Sequence, residues 1–153
     1  MKPKPIYERL RAFLLCLALL AGMLPVTAGA EEETVSYHFY DTKSEEWKTN
    51  TANDYTTVTN QTAWSTGWYV VTDEVTIDTR ITVTGDVHLI LGDNATLTAS
   101  SGITVATGNS LTIYGQEEGT GTLTATAQGS SGGTGSNAGI GAAGGGNGGG
   151  VTI

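Results

Sequence analysis

Positive charge is scarce after Ala30 in this 153-residue chain. Only three of its seven Lys and Arg residues lie there, against fourteen of its 15 Asp and Glu residues, which leaves a formal charge of −11. The three cations are Lys43, Lys48 and Arg80. An acidic surface of this kind repels nucleic acid and anionic lipid, so we expect no nucleic-acid partner.

Cysteine is equally scarce in the chain. The single cysteine, Cys16, lies in the N-terminal segment that ends at Ala30. A domain built from the later residues therefore has no disulfide available, even in the oxidising compartments where disulfides persist. Its stability must come from the packing of apolar side chains.

The N-terminal segment, residues 1–30, has the pattern of a secretory signal peptide. An apolar run from Phe13 to Leu24 is short for a membrane span, and Ala28-Gly29-Ala30 supplies the small residues that a signal peptidase needs. We predict cleavage after Ala30 and a secreted or extracellular protein. An uncleaved signal would hold the same domain on the outer side of the membrane. The run follows four basic residues, Lys2, Lys4, Arg9 and Arg11.

Three strand-like triplets recur further along the chain at one common offset, from position 75 to 97, from 81 to 103 and from 89 to 111. Alternate side chains of a strand face opposite sides, so the end residues of each triplet should point into a core and the central Thr residues to solvent. Strands that recur at one offset predict a parallel β-helix, an all-β solenoid with coils of about 22 residues. The pairs are Val75-Thr76-Ile77 with Leu97-Thr98-Ala99, Ile81-Thr82-Val83 with Ile103-Thr104-Val105, and Leu89-Ile90-Leu91 with Leu111-Thr112-Ile113.

This repeat divides the chain after the signal peptide (residues 1–30) into two parts. Residues 31–67 are polar and should form a leader that caps the first coil, because a bare solenoid end exposes apolar side chains and strand edges. Residues 68–153 should form the coils, with glycine-rich loops in 128–150 and a last coil that is incomplete at the C-terminus. We therefore interpret the chain as the beginning of a longer protein or a truncated gene product.

The predicted coils contain no recognisable arrangement of catalytic residues. Arg80 is the only cation in that region, and its position after Asp78 predicts a solvated corner residue. A glycoside hydrolase needs two carboxylates that face each other, but no coil Asp aligns with another at the common offset. We therefore expect no enzymatic activity and assign no catalytic residue. The alignments are Asp78 with Ser100, Asp86 with Gly108, and Asp93 with Gly115.

Metal and cofactor sites are not predicted either. Neither His38 nor His88 has a second His, a Cys or a Glu at ligand spacing, and the Asp residues between strands follow no calcium-binding pattern. His88 lies between the inward-facing Val87 and Leu89, so it should point outward.

Aromatic residues are the remaining candidates for a binding site. A Trp or Tyr ring can stack on a sugar, because it combines a flat apolar face with a polar edge. The alternative for Trp64 and Trp68 is a packing role at the open end of the first coil, since large aromatic side chains are usually buried. Tyr114 follows the inward-facing Ile113 and should face solvent. The candidate ligand-binding residues are Tyr55, Trp64, Trp68 and Tyr114.

Four segments of the chain combine strand and turn residues in a way that is similar to a known group of proteins: Ala63 to Val71, Ile81 to Leu91, Leu111 to Gln116 and Asn137 to Gly141. They resemble the opening of large secreted cell-surface proteins of gut Firmicutes. The resemblance covers roughly residues 63 to 153 and implies a β-helical repeat region that continues into further modules and a wall anchor. The domain is more distantly similar to β-helical carbohydrate-binding modules of anaerobic bacteria, which bind acidic plant polysaccharides.

The sequence therefore predicts a secreted or cell-surface module for adhesion or glycan binding, without catalysis. Its partner would be a polysaccharide or a host or cell-wall glycan, and the membrane would be contacted only through an uncleaved signal. Attachment to the cell surface would use missing C-terminal sequence. Two alternatives stay open: a structural spacer for display, and a fragment of a polysaccharide lyase or hydrolase whose catalytic part is missing.

Overall fold

The computed structural model describes residues 33–127, 137–144 and 146–153. The predicted signal peptide and part of the predicted glycine-rich loops lie outside these ranges. In the described ranges the chain forms strands and turns, and no helix there is long and apolar enough to cross a membrane.

The strands of the first half are β1 (Val35–Asp41), β2 (Glu46–Ala52), β3 (Tyr55–Thr57), β4 (Ala63–Val71), β5 (Glu74–Ile77) and β6 (Ile81–Leu91). Those of the second half are β7 (Thr96–Ala99), β8 (Ile103–Val105), β9 (Ser110–Gly115), β10 (Thr122–Ala125), β11 (Ile140–Gly141) and β12 (Gly150–Thr152).

The strands form two sheets, and the predicted parallel β-helix is wrong. A nine-stranded sheet mixes parallel and antiparallel pairs, while β5, β7 and β10 form a separate three-stranded parallel sheet. The antiparallel pairs come from β1, which pairs with β2 on one side and with β9 on the other. A repeat at a fixed offset identifies only parallel neighbours. It carries no information about a hairpin without repeat partners, and that hairpin makes the large sheet mixed.

Two of the three predicted strand pairings have the predicted register. Val75 lies opposite Leu97, and Ile81 lies opposite Ile103, which is the predicted offset in both cases. The third pairing is displaced, because Leu89 lies opposite Ile113 rather than Leu111. The cause is local: only Thr84 and Gly85 separate Val83 from Asp86, whereas residues 106–109 fill the corresponding turn before β9. The longer turn therefore lengthens the offset of this pairing.

The alternation of inward and outward side chains is confirmed. The end residues of the triplets lie in the main core, where Val75 alone among them is only partly buried. Thr76 and Thr82 are exposed, and the central Thr residues of the later triplets are partly exposed. The core members from the triplets are Ile77, Ile81, Val83, Leu89, Leu91, Leu97, Ala99, Ile103, Val105, Leu111 and Ile113.

The edge of the large sheet at β4 is covered by the segment that precedes it. The strand β3 pairs in parallel with β4, and the Val58 amide continues this pairing by donating to the Val70 carbonyl at 2.8 Å. Trp64 is buried beneath this segment, where its ring stacks on Tyr69 at a centroid distance of 5.2 Å. Its indole Nε1 donates to the Gln61 carbonyl at 3.1 Å. The packing alternative for Trp64 therefore matches its position.

Arg80 joins three turns and is not the solvated corner residue that the sequence predicts. Its guanidinium donates to Thr104 Oγ1 at 2.6 Å, to the Ser101 carbonyl at 2.7 Å and to the Ala138 carbonyl at 2.9 Å. Partial burial lowers the pKa of Arg80. The planar fork of an arginine suits this role, because its several N–H groups reach acceptors on different segments.

Candidate functional site

The hairpin β1–β2 packs on the outward face of β4, β6 and β9. A second, smaller core forms there from Tyr37 and Ala52 of the hairpin with Val70 and Ile90 of the sheet. The Tyr37 ring lies 4.7 Å from Trp68 and 4.6 Å from Tyr114 between centroids. The hairpin therefore covers part of the sheet face that the sequence predicts to be solvated.

A stack of three rings crosses this face on neighbouring strands. His88 lies opposite Trp68 in register, and the two rings stack at a centroid distance of 4.4 Å. Tyr114 stacks on His88 at 5.9 Å and on Trp68 at 5.4 Å. His88 points outward as predicted, but its ring contacts two aromatic rings that also contact each other. These rings are far apart in the sequence, and they come together because they lie on the paired strands β4, β6 and β9.

A chain of hydrogen bonds fixes these rings. The Tyr114 hydroxyl lies 3.1 Å from His88 Nδ1, and His88 Nε2 lies 3.2 Å from Asp86 Oδ2. The Ser110 hydroxyl donates to the other Asp86 oxygen. This hydrogen bond, followed by the charge of His88, lowers the pKa of Asp86. When His88 is neutral, its Nε2–H donates to ionised Asp86, and its Nδ1 accepts from the Tyr114 hydroxyl.

The same chain of contacts does not form a nucleophilic triad. The Ser110 hydroxyl is bonded to the carboxylate of Asp86, whereas an activated serine must be bonded to the imidazole. Burial raises the pKa of Tyr114, so its phenol stays protonated and serves as a hydrogen-bonding ring. The network therefore orients Tyr114 and does not activate a nucleophile.

An open groove of about 630 Å³ lies between the hairpin and the strands β9 and β12. Its aromatic lining consists of Phe39, Tyr40, Trp47 and Tyr114. Trp47 is 72% exposed and Tyr40 is 49% exposed, and their rings meet edge to face at 5.6 Å. Hydroxyl groups are contributed by Thr42 of the hairpin turn and by Thr112 and Thr152, which are register partners on β9 and β12. The groove thus combines aromatic faces with neutral hydrogen-bonding groups.

The turn of the hairpin holds Trp47 and Tyr40 across from each other. Asp41 caps this turn by accepting hydrogen bonds from the Lys43 amide at 2.9 Å and the Ser44 hydroxyl at 3.0 Å, and it also pairs with Lys48. Glu45 takes the left-handed conformation, with φ 55°, which allows the chain to reverse before β2. Lys48, followed by the Lys43 amide, holds the pKa of Asp41 well below its usual range.

We expect the hairpin turn to weaken in acid because of Asp41. A carboxylate with a lowered pKa in the folded state stabilises the fold above its unfolded pKa, and this contribution is lost as the pH falls through the lowered folded value. The loss should therefore begin near pH 4, the ordinary range of an aspartate, and continue below it. Amide hydrogen exchange of residues 41–48 between pH 6 and pH 2, corrected for the intrinsic exchange rate, measures this change.

The variant Asp41→Asn provides the matched control for this titration. It should already show faster exchange in the turn at pH 6, and protection of its turn should depend less on pH below 4. Equal pH dependence of protection in the two proteins would show that other carboxylates control the acid response.

The structure does not gather the four aromatic residues that the sequence proposes for ligand binding into one site, although Trp68 contacts Tyr114. Tyr114 lines the groove, whereas Tyr55 and Trp68 pack with the smaller core at the base of the hairpin. The Tyr55 hydroxyl lies 3.4 Å from Glu33 Oε2. Trp64 belongs to the main core. Only one of the four therefore contributes to the groove.

The groove residues that the sequence reasoning missed lie in the hairpin. Phe39, Tyr40 and Trp47 fall in the segment that the sequence predicts to be a cap. The signal that could have found them is alternation on both sides of the turn, with aromatic residues placed symmetrically about Asp41 to Glu46. Tyr40 and Trp47 then fall opposite each other in a hairpin register.

Within the described ranges, no group of three or more His, Cys, Asp or Glu side chains is arranged to hold a metal ion. The groove contains aromatic and hydroxyl groups, which favour non-covalent binding of a polar ligand with apolar faces. No protein-family model, no curated protein and no solved structure matches this chain.

Proposed function

We propose that this protein is a non-catalytic, secreted or cell-surface module that binds glycans in the groove beside the hairpin. The observation that carries the proposal is the exposed pair of Trp47 and Tyr40 next to Tyr114. Exposed tryptophan needs an explanation, because large aromatic side chains are usually buried. A sugar ring, with its alternating C–H and hydroxyl faces, is a suitable partner for such side chains.

The dimensions and chemistry of the groove support this proposal. Its volume of about 630 Å³ falls within the ordinary range of small-ligand sites. The Thr hydroxyls can both donate and accept hydrogen bonds, as sugar hydroxyls do. His38 is held at the edge of the groove by Thr49, whose Oγ1 lies 3.0 Å from His38 Nε2.

The chemistry of the described lining of the groove supports a non-catalytic role. Glycoside hydrolysis requires two carboxyl groups that flank the scissile bond. No Asp or Glu is among the described residues that line the groove. A ligand bound there would contact aromatic rings and hydroxyls, which can position a glycan but supply no acid and base pair.

Replacing Trp47 by alanine should weaken glycan binding about fivefold or more, because an aromatic contact of this type contributes roughly 1 kcal/mol beyond the area it buries. Affinity electrophoresis in gels that contain neutral or acidic polysaccharides, followed by calorimetry on the best ligand, measures the change. The variant Trp47→Phe should keep most of the affinity. Tyr55→Phe should bind like the wild type, since Tyr55 lies outside the groove.

Two results would overturn the proposal. If the full chain is retained by no glycan, a structural spacer becomes the better account. If it releases reducing ends or unsaturated sugars from a polysaccharide, the protein is an enzyme and the groove cannot be its only functional site.

A further inference from the structure

The charged groups nearest to the exposed aromatic pair are mostly carboxylates. Asp41 lies opposite Glu46, one position along the hairpin from the pair of Tyr40 and Trp47. Asp41 is paired with Lys48, so the other charged residues of positions 41–48, which are Lys43, Glu45 and Glu46, leave a formal charge of −1 in this turn. A ligand that reaches Trp47 therefore approaches a turn with a small net negative charge, and such a charge acts over about 8 Å at physiological salt.

The cations beyond residue 32 are not placed to reverse this potential. Lys48 is paired with Asp41, and Arg80 donates to oxygen atoms of Ser101, Thr104 and Ala138, which do not line the groove. Lys43 lies in the hairpin turn but does not line the groove, and the same turn carries Glu45. No Lys or Arg side chain is among the described residues that line the groove.

We infer that the groove selects uncharged glycans and disfavours polyanionic ones, such as polysaccharides rich in uronic acid or sulfate. This inference rests on the proposed function. Recognition of a carboxylate or sulfate in proteins depends on Arg, Lys or clustered N–H donors, which form the strong charge-assisted hydrogen bonds. The groove offers hydroxyls from Thr42, Thr112 and Thr152, which match the hydroxyls of neutral sugars.

The repulsion should be visible in the dependence of binding on salt. Affinity for a neutral glycan should change little between 20 mM and 500 mM sodium chloride, because no charge is neutralised in the complex. Any weak affinity for an acidic glycan should rise with salt, since added ions screen the carboxylates of the hairpin from the ligand.

The test compares the full chain on neutral and acidic polysaccharides, with β-glucan, mannan, polygalacturonate and a sulfated galactan as probes. We expect at least tenfold tighter binding to one of the neutral polymers at 20 mM salt, and loss of that binding in Trp47→Ala. The variant Thr42→Lys should gain affinity for polygalacturonate, with Thr42→Ala as its control. Thr42 is suitable because its side chain is exposed at the groove.

The outcomes separate this inference from the proposed function. Tight, Trp47-dependent binding to polygalacturonate that falls with salt, and is lost in Lys43→Gln, would overturn the inference and leave glycan binding in place. Retention by none of the four polymers would overturn both. Binding to neutral polymers that is unchanged in Trp47→Ala would show that another surface binds glycans, and would also overturn both.

Discussion

Replacing Trp64 by alanine should lower the free energy of unfolding by about 3 to 5 kcal/mol, the usual loss for a buried tryptophan. Trp64 is 1% exposed, and its ring stacks on Tyr69. The smaller side chain would leave a cavity beneath the segment that covers β4, and it would remove the donor to the Gln61 carbonyl. Urea unfolding followed by circular dichroism measures the difference.

The matched control for this change is Trp47→Ala, which removes the same side chain from an exposed position. We expect it to change the free energy of unfolding by no more than about 0.5 kcal/mol, as surface substitutions usually do. Glycan binding should respond in the opposite order, with the larger loss in Trp47→Ala. Similar losses of stability in the two variants would mean that Trp47 also belongs to a packed core.

Replacing Ile103 by alanine should cost about 2 to 5 kcal/mol of stability. Ile103 is fully buried, and it lies between Ile81 on β6 and Ile140 on β11. Its removal therefore opens a cavity between three neighbouring strands. Chemical unfolding of the variant and of the wild type gives the difference directly.

Thr82→Ala is the control for the register of these strands. Thr82 is exposed and adjoins Ile81, so its replacement should cost far less than that of Ile103. Thr104 is unsuitable as a control, because its hydroxyl accepts the hydrogen bond from Arg80 Nε. Equal losses in Ile103→Ala and Thr82→Ala would contradict the assignment of inward and outward faces, since a slip of one residue exchanges the two.

The inward-facing residues of the core could be predicted from the sequence, because the alternation of apolar and polar residues that indicates them is local. Ile81 and Ile103 are each followed by Thr and Val, and the period of two fixes which side chains face inward. The pairing of Leu89 with Ile113 was missed, because the longer turn before β9 interrupts the common offset. The arrangement of the sheets was also missed, since parallel repeats cannot place an antiparallel hairpin.

The candidate site was less predictable because it depends on contacts that are distant in sequence. Tyr114 could be identified as outward-facing from its position after Ile113. Trp47 lies near Tyr114 only because the hairpin packs on the sheet. No periodic pattern in the sequence indicates this proximity. The prediction for Arg80 was wrong for the same reason: its acceptors lie on turns that its own neighbours in sequence do not reveal.

The contact between β1 and β9 has a consequence for the order of folding. His38 lies opposite Gly115, and the Ser36 carbonyl accepts a hydrogen bond from Gln116, 80 residues further along the chain. During synthesis the hairpin leaves the ribosome long before β9, and contacts of such large sequence separation form slowly. Both walls of the groove therefore exist only after β9 has joined the sheet. Retention on a glycan would then indicate that the fold is complete. A nascent chain that ends before residue 110 should expose the aromatic residues of the hairpin but have no groove.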